Sequence, residues 1–148
     1  MAQISLDRHI DAPIDHVFER ITDFANAADV VSGITRVEML TDGPVGQGTR
    51  FRETRVMFGK EATEEMEVKS FDAPRAYALG AESHGSRYLS TFTLTEKDGG
   101  TDVHLVFEAT PLTLFAKIMS VVMKPMMKKV MEECAKDLDD IKNAIEAG

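Results

Sequence analysis

The sequence predicts an α+β fold in which a curved antiparallel sheet of about seven strands wraps around one long C-terminal helix, with two short helices after strand one. Three observations carry this prediction. Strand-like alternation at the N-terminus breaks at a proline and becomes a helical repeat. Six further alternating runs then follow one another with only short turn segments between them. The last third of the chain is helical in period throughout.

Taken in order, Ile4, Leu6 and Ile10 alternate as on a half-buried strand, and Pro13 fits the first turn of a helix. Ile14, Val17, Phe18 and Ile21 then recur at helical spacing. Residues 23–31 read as a second short helix, capped by Asp23 and ending near Ser32-Gly33. Alternation resumes over 35–39, is broken by the turn-rich segment 42–48, and returns over 49–58. Gly59-Lys60, Asp72-Ala73-Pro74-Arg75, His84-Gly85-Ser86 and Lys97-Asp98-Gly99-Gly100 punctuate four more runs, 61–71, 76–83, 87–96 and 101–110. Connections this short favour hairpins, hence an antiparallel meander. From Pro111 or Leu112 to Ala147 the pattern is one long helix with Met127, Val130, Met131, Cys134, Leu138, Ile141 and Ile145 as its apolar stripe. Pro125 should kink it or mark a junction. A sheet with one face to cover and one long amphipathic helix solve each other's problem when the sheet curls around the helix.

At 148 residues the chain has the usual size of one domain, and residues 1–148 are expected to form a single ligand-binding unit. With 43% hydrophobic and 28% charged residues it has the composition of an ordinary soluble globule. A net charge of −8 and a pI near 5.0 argue against a nucleic-acid surface. Neither a signal sequence nor an apolar run long enough to span a bilayer stands out, so the expected location is cytoplasmic. The single cysteine, Cys134, lies in an apolar helical pattern and reads as a packed thiol. His9, His16, His84 and His104 show no paired spacing, and no HExxH or CxxC occurs, so neither metal nor cofactor is expected. Gly46-x-Gly48 lies between strands and is a turn rather than a nucleotide loop.

The opening run Ile10-x-Ala12-Pro13-x-x-x-Val17-Phe18-x-x-Ile21-x-Asp23 resembles that of the START-like superfamily, also called SRPBCC, of polyketide cyclases/dehydratases and lipid-transport proteins, which includes the major birch pollen allergen. Gly46-x-Gly48-Thr49-x-Phe51, Val68-x-x-Phe71-x-x-Pro74-Arg75 and Gly99-Gly100-Thr101-x-Val103 extend the resemblance in the right order over essentially the whole chain. It implies the helix-grip fold and a hydrophobic cavity between sheet and helix. The sequence departs from the common pattern in having no tryptophan, with Phe18 and Phe51 where tryptophan is frequent.

Matching Phe51 to the family's inward aromatic places Phe51, Glu53, Arg55 and Met57 inside and Arg50, Arg52, Thr54, Val56 and Phe58 outside. Glu53 and Arg55 then face a mostly apolar concavity, where charges must pair or await a polar ligand group. Met66 and Val68 set the inner parity of the next strand, which makes Glu64 either a candidate pocket carboxylate beside Glu53 or, the simpler reading, part of an acidic solvated edge that resists strand pairing. Tyr77 and Leu79, with Tyr88, Ser90 and Phe92, share the inner parity of their strands. Phe115, Met119, Met123 and Met127 would line the cavity from the helical side, and Met39, Met126 and Met131 would border or approach it. Segment 112–131 carries lysines and methionines without acids, a pattern compatible with transient contact with an anionic membrane or with a solvated face.

The leading expectation is a carrier or sensor that binds a small hydrophobic molecule, such as a lipid, quinone or polyketide-like aromatic, with no obligate protein partner. The first alternative is a polyketide cyclase/dehydratase in which Arg55 stabilises an enolate oxygen and Glu53 or Glu64 is the base. The second is a protein-interaction or stress-associated module of the same fold.

Overall fold

The computed structural model describes residues 2–57, 59–122 and 124–147, with the side chains of Ala2 and Met57 left out of the description. Seven strands are present among the described residues: β1 (Ala2–Ile10), β2 (Ile34–Met39), β3 (Arg50–Met57), β4 (Lys60–Asp72), β5 (Ala76–Ser83), β6 (Ser86–Lys97) and β7 (Gly100–Pro111). They form one antiparallel sheet in the order β1-β7-β6-β5-β4-β3-β2. Every strand from β2 to β7 is thus a hairpin neighbour of the next, as the turn punctuation requires, while β1 closes onto β7. Between β1 and β2 the chain crosses from one sheet edge to the other through α1 (Ile14–Ile21), a tight helical turn (Phe24–Asn26) and α2 (Ala27–Val30).

The segment expected as one helix over 23–31 is therefore two short pieces. Asp23 does not cap it; its carboxylate accepts from the Asn26 side-chain amide instead. At the C-terminus the proline junction is real: α3 (Leu114–Val122), a helical turn at Lys124–Met126 and α4 (Met127–Ala147) replace one continuous helix. Pro125 lies in the connecting turn, where the missing N–H does least harm.

Register confirms the inner face. Tyr77 lies opposite Phe92, Leu79 opposite Ser90, Leu94 opposite Val103 and Leu105 opposite Leu6. Val68 is buried in the core and Phe71, three residues on, packs against it from the same face, which alternation alone forbids. A bulge between Val68 and Ser70 resets the parity and bends the strand. Phe18 of α1 makes edge contacts with Phe71 and Tyr77, and Phe24 stacks on Phe51 at 4.7 Å. The positions where tryptophan is frequent in the family thus anchor the short helices to the sheet with smaller rings.

Candidate functional site

The concave face has two unequal halves. Ile10, Val68, Tyr77, Leu94, Val103 and Leu105 are buried against Val17, Phe18 and Leu138. Further along the same strands Met66, Leu79, Tyr88, Ser90, Phe92 and Phe107 are only half-buried. The second half of α4 seals its end of the sheet through Leu138 and Ile145, whereas Met126 just before it and Met127 and Val130 at its start stay half-buried. The concave face therefore carries a half-buried apolar strip, with rings from Phe92 and the stacked pair Tyr88–Phe107 and hydroxyls from Tyr88 and Ser90. Tyr77, expected beside a ligand, is 2% exposed, stacked on Phe92 at 4.6 Å, and its phenol is held well above the usual range by burial. It forms the floor of the concavity rather than its lining.

On the helical side the expected residues separate. Met119 and Met127 are half-buried, but Phe115 is 70% exposed on α3 and does not join the concave set. The reason is the turn at Pro125, which frees α3 from the line of α4, so the helical repeat no longer carries Phe115 onto the sheet. Met123 and the Met57 side chain lie outside the described residues.

At the β2–β3 margin parity holds: Phe51 is buried, and Arg50 and Arg52 face outward to Glu65 and Glu38. Glu53 and Arg55 turn inward and bond each other, Nε and Nη2 of Arg55 reaching Glu53 Oε1 at 2.7 and 2.6 Å. Glu64 lies directly opposite Glu53 in register but is not the second partner. That place belongs to Asp137 of α4, whose Oδ2 accepts from Arg55 Nη1 at 3.0 Å. All three side chains are largely out of solvent, at 12, 19 and 22% exposure for Glu53, Arg55 and Asp137.

One guanidinium between two carboxylates leaves the cluster with an excess negative charge. Burial would lower the Arg55 pKa, but Glu53 and Asp137 outweigh it and hold the side chain charged. Asp137 responds the other way: burial first, with Glu53 and Glu133 adding, overcomes the pull of Arg55 and pushes its carboxyl up to about 6. Its Oδ1 is buried and has no hydrogen-bond partner among the described residues. Gly33 lies beside the cluster: a Cβ there would stand in ordinary van der Waals contact, 3.9 Å from Glu133 Oε2 and 4.0 Å from Asp137 Oδ1. Cys134, one turn earlier on α4, is pushed up to about 11, chiefly by burial and then by Asp137. The thiol is held as a thiol and is a poor nucleophile there.

Asp137 escaped the sequence reading, although a signal existed. It stands three residues after Cys134 and four before Ile141, on the apolar stripe itself, where an acid demands a cation across the interface. Arg8 makes a parallel link from β1 to Asp139 at 2.6 Å, also unread. Among the described residues no group of three or more His, Cys, Asp or Glu side chains is placed to hold a metal.

Two hollows also occur. One of about 270 Å³ sits between the α1–α2 corner and Ile141. The other, about 630 Å³, lies around Gly80 on the β4–β6 strands, edged by Glu65, Lys69 and Arg87 and also touching Met66 and Tyr88.

The family model for "polyketide cyclase / dehydrase and lipid transport" matches residues 1–146, and the chain belongs to that family. No curated protein matches the sequence. Among solved structures the chain is similar to TTHA0849 from Thermus thermophilus, at a TM-score of 0.81 and 21% identity, covering 99% of this chain and 98% of that one. It is likewise similar to Ara h 8.0201, at a TM-score of 0.76 and 14% identity over 99% of both chains. The di-domain ARO/CYC BexL from the BE-7585A biosynthetic pathway aligns with a TM-score of 0.80 and 15% identity, over 99% of this chain and 50% of that one. Identities this low establish the shared helix-grip fold and nothing finer.

Proposed function

We propose that this protein binds a small hydrophobic molecule in the concavity between β4–β7 and the start of α4, acting as a carrier or sensor. The carrying observation is the contrast between the packed and half-buried halves of one concave face. Apolar side chains at Met66, Leu79, Phe92 and Phe107 are left half-covered beside only a few hydroxyls. Covering them would yield about 25 cal/mol for each Å² removed from water, with Tyr88 and Ser90 orienting a polar edge of the ligand. The family description, which couples lipid transport with polyketide chemistry, is consistent with lipids, quinones or polyketide-like aromatics as guests.

Native mass spectrometry of protein from its own host, followed by denaturing extraction, tests this reading together with titration by the neutral probe N-phenyl-1-naphthylamine. A retained apolar compound, or saturable probe binding lost in Leu79→Trp, is the expected result. Probe binding that is absent, or equal in the two proteins, overturns it.

A second reading, a cyclase/dehydratase, is favoured by one observation: Asp137 is a carboxyl with a raised pKa beside Arg55. In that reading Asp137, rather than Glu53 or Glu64, is the acid/base residue. Arg55 is already neutralised on two sides, which makes it a positioning group for Asp137 more than an oxyanion ligand. Turnover of a polyketide substrate lost in Asp137→Asn with probe binding intact would select this reading.

A further inference from the structure

α3 is turned the wrong way round for a helix of a free-standing globule. At about 100° per residue, Leu114, Phe115, Ile118, Val121 and Val122 fall within an arc of roughly 120° on one face. That face is the exposed one, with Leu114 at 76%, Phe115 at 70% and Val121 at 73%. The residue α3 buries is the small Ala116, on the opposite side. The orientation is held from outside the stripe. Leu112 N–H donates to Gly85 O at 2.8 Å, Thr113 Oγ1 accepts from Ala116 N–H, and Ala116 and Thr113 crowd Gly85 at the β5–β6 turn.

We infer that this stripe is a membrane-contact face that seats α3 in the interface of an anionic bilayer. Charge decides between the occupants. From Pro111 to Met131 the chain has four lysines and no acid, in a protein whose net charge is −8. Lys117, Lys124 and Lys128 are exposed around the stripe. A second copy of the chain docked about a two-fold axis would bring this basic rim onto itself. An anionic lipid surface satisfies the apolar stripe and the lysines together. No helix among the described residues is long and apolar enough to cross a membrane, so α3 lies on the bilayer. The same β5–β6 turn that seats α3 is flanked by Ala81 and Tyr88, which face each other across the strands at the half-buried end of the concave face. A ligand would therefore pass from bilayer to concavity over a short path. That last step rests on the carrier reading, while the docking itself does not.

Vesicle flotation tests it, with phosphatidylcholine alone and with phosphatidylcholine mixed with phosphatidylglycerol. The protein should float with the mixed vesicles, weakly with the neutral ones, and less as salt is raised. Leu114→Ser with Val121→Ser should weaken binding on the order of tenfold or more, and Lys117→Glu on the order of fivefold. These side chains face away from the concavity, so binding of N-phenyl-1-naphthylamine should survive in the variants and separates this inference from the carrier reading. Circular dichroism melts check that each variant is folded. Absence of flotation with phosphatidylglycerol at low salt overturns the inference, as does flotation that neither variant changes. Sedimentation showing a dimer of the wild type that the double variant abolishes assigns the stripe to a second copy and overturns it too.

Discussion

Arg55 of β3 and Asp137 of α4 meet at 3.0 Å across 82 residues of chain, and through this contact the long helix is tied to the edge half of the sheet. The bond is more than a clasp, because Glu53 holds the other side of the same guanidinium. Removing the cation strands two buried carboxylates side by side. Arg55→Ala should therefore cost about 2–4 kcal/mol, somewhat under the full penalty for a broken buried pair because the cluster keeps some solvent access. Urea unfolding at pH 7 measures it. A cost below about 0.5 kcal/mol, the scale of surface pairs, would mean that the cluster behaves as one of them.

Asp137 gives the cluster its pH dependence. Its folded-state pKa, about 6, lies above the ordinary 3.8, so the folded protein binds more protons than the unfolded chain between those values. Stability from this group is then present below pH 4 and declines as pH rises through 6. Comparing wild type with Asp137→Asn across pH 4–7 removes the background of other titrations. The wild type should lose on the order of 2 kcal/mol relative to the variant over that range. A difference that is flat with pH would place the titration on another group.

His9 titrates in the opposite sense to an ordinary paired carboxylate. Its Nδ1 shares a hydrogen bond with Asp102 at 2.6 Å, and that bond, before the Asp102 and Asp11 charges, raises its pKa above 6.5. The stabilisation is complete below pH 6.5 and is lost as pH rises through the folded-state value. The imidazole resonances followed by NMR should titrate above 6.5 in wild type and move back toward it in Asp102→Asn. An unchanged midpoint would remove Asp102 as the cause.

Most of the fold was legible because its signals are local. Glycines and prolines punctuate β2–β7, and the inward parity of Phe51, Glu53 and Arg55 follows from counting by two along one strand. What was not legible depends on three-dimensional placement. The pairing of Arg55 with Glu53 follows from their shared strand face, but the second carboxylate is Asp137 on the covering helix rather than Glu64 on the adjacent strand, a contact that no local pattern on β3 or β4 specifies. Phe115 was assigned to the cavity because helical period alone cannot tell which way a helix turns after a proline junction. The bulge after Val68 is a third case: the motif Val68-x-x-Phe71 is a parity violation that only a bulge reconciles with both side chains on the core face.

Leu138 offers the sharpest test of how the two halves of the concave face differ. It is 1% exposed and lies among Val17, Phe18 and the buried strand residues, whereas Met127, eleven residues earlier on the same helix, is half-buried. Leu138→Ala should open a cavity in the sealed half and cost about 2–5 kcal/mol, because the surrounding strands are fixed by their ladders and relax only partly. Met127→Ala removes a side chain that is only half-buried, so less packing is lost and the cost should stay at about 1 kcal/mol. Equilibrium unfolding of the two variants, beside probe titration of each, reads both halves at once. Leu138→Ala should bind N-phenyl-1-naphthylamine as wild type does at temperatures where it is folded, while Met127→Ala should change probe affinity with little change in stability. Equal stability losses in the two variants would mean that α4 packs uniformly along its length, and the binding concavity would lose its physical basis.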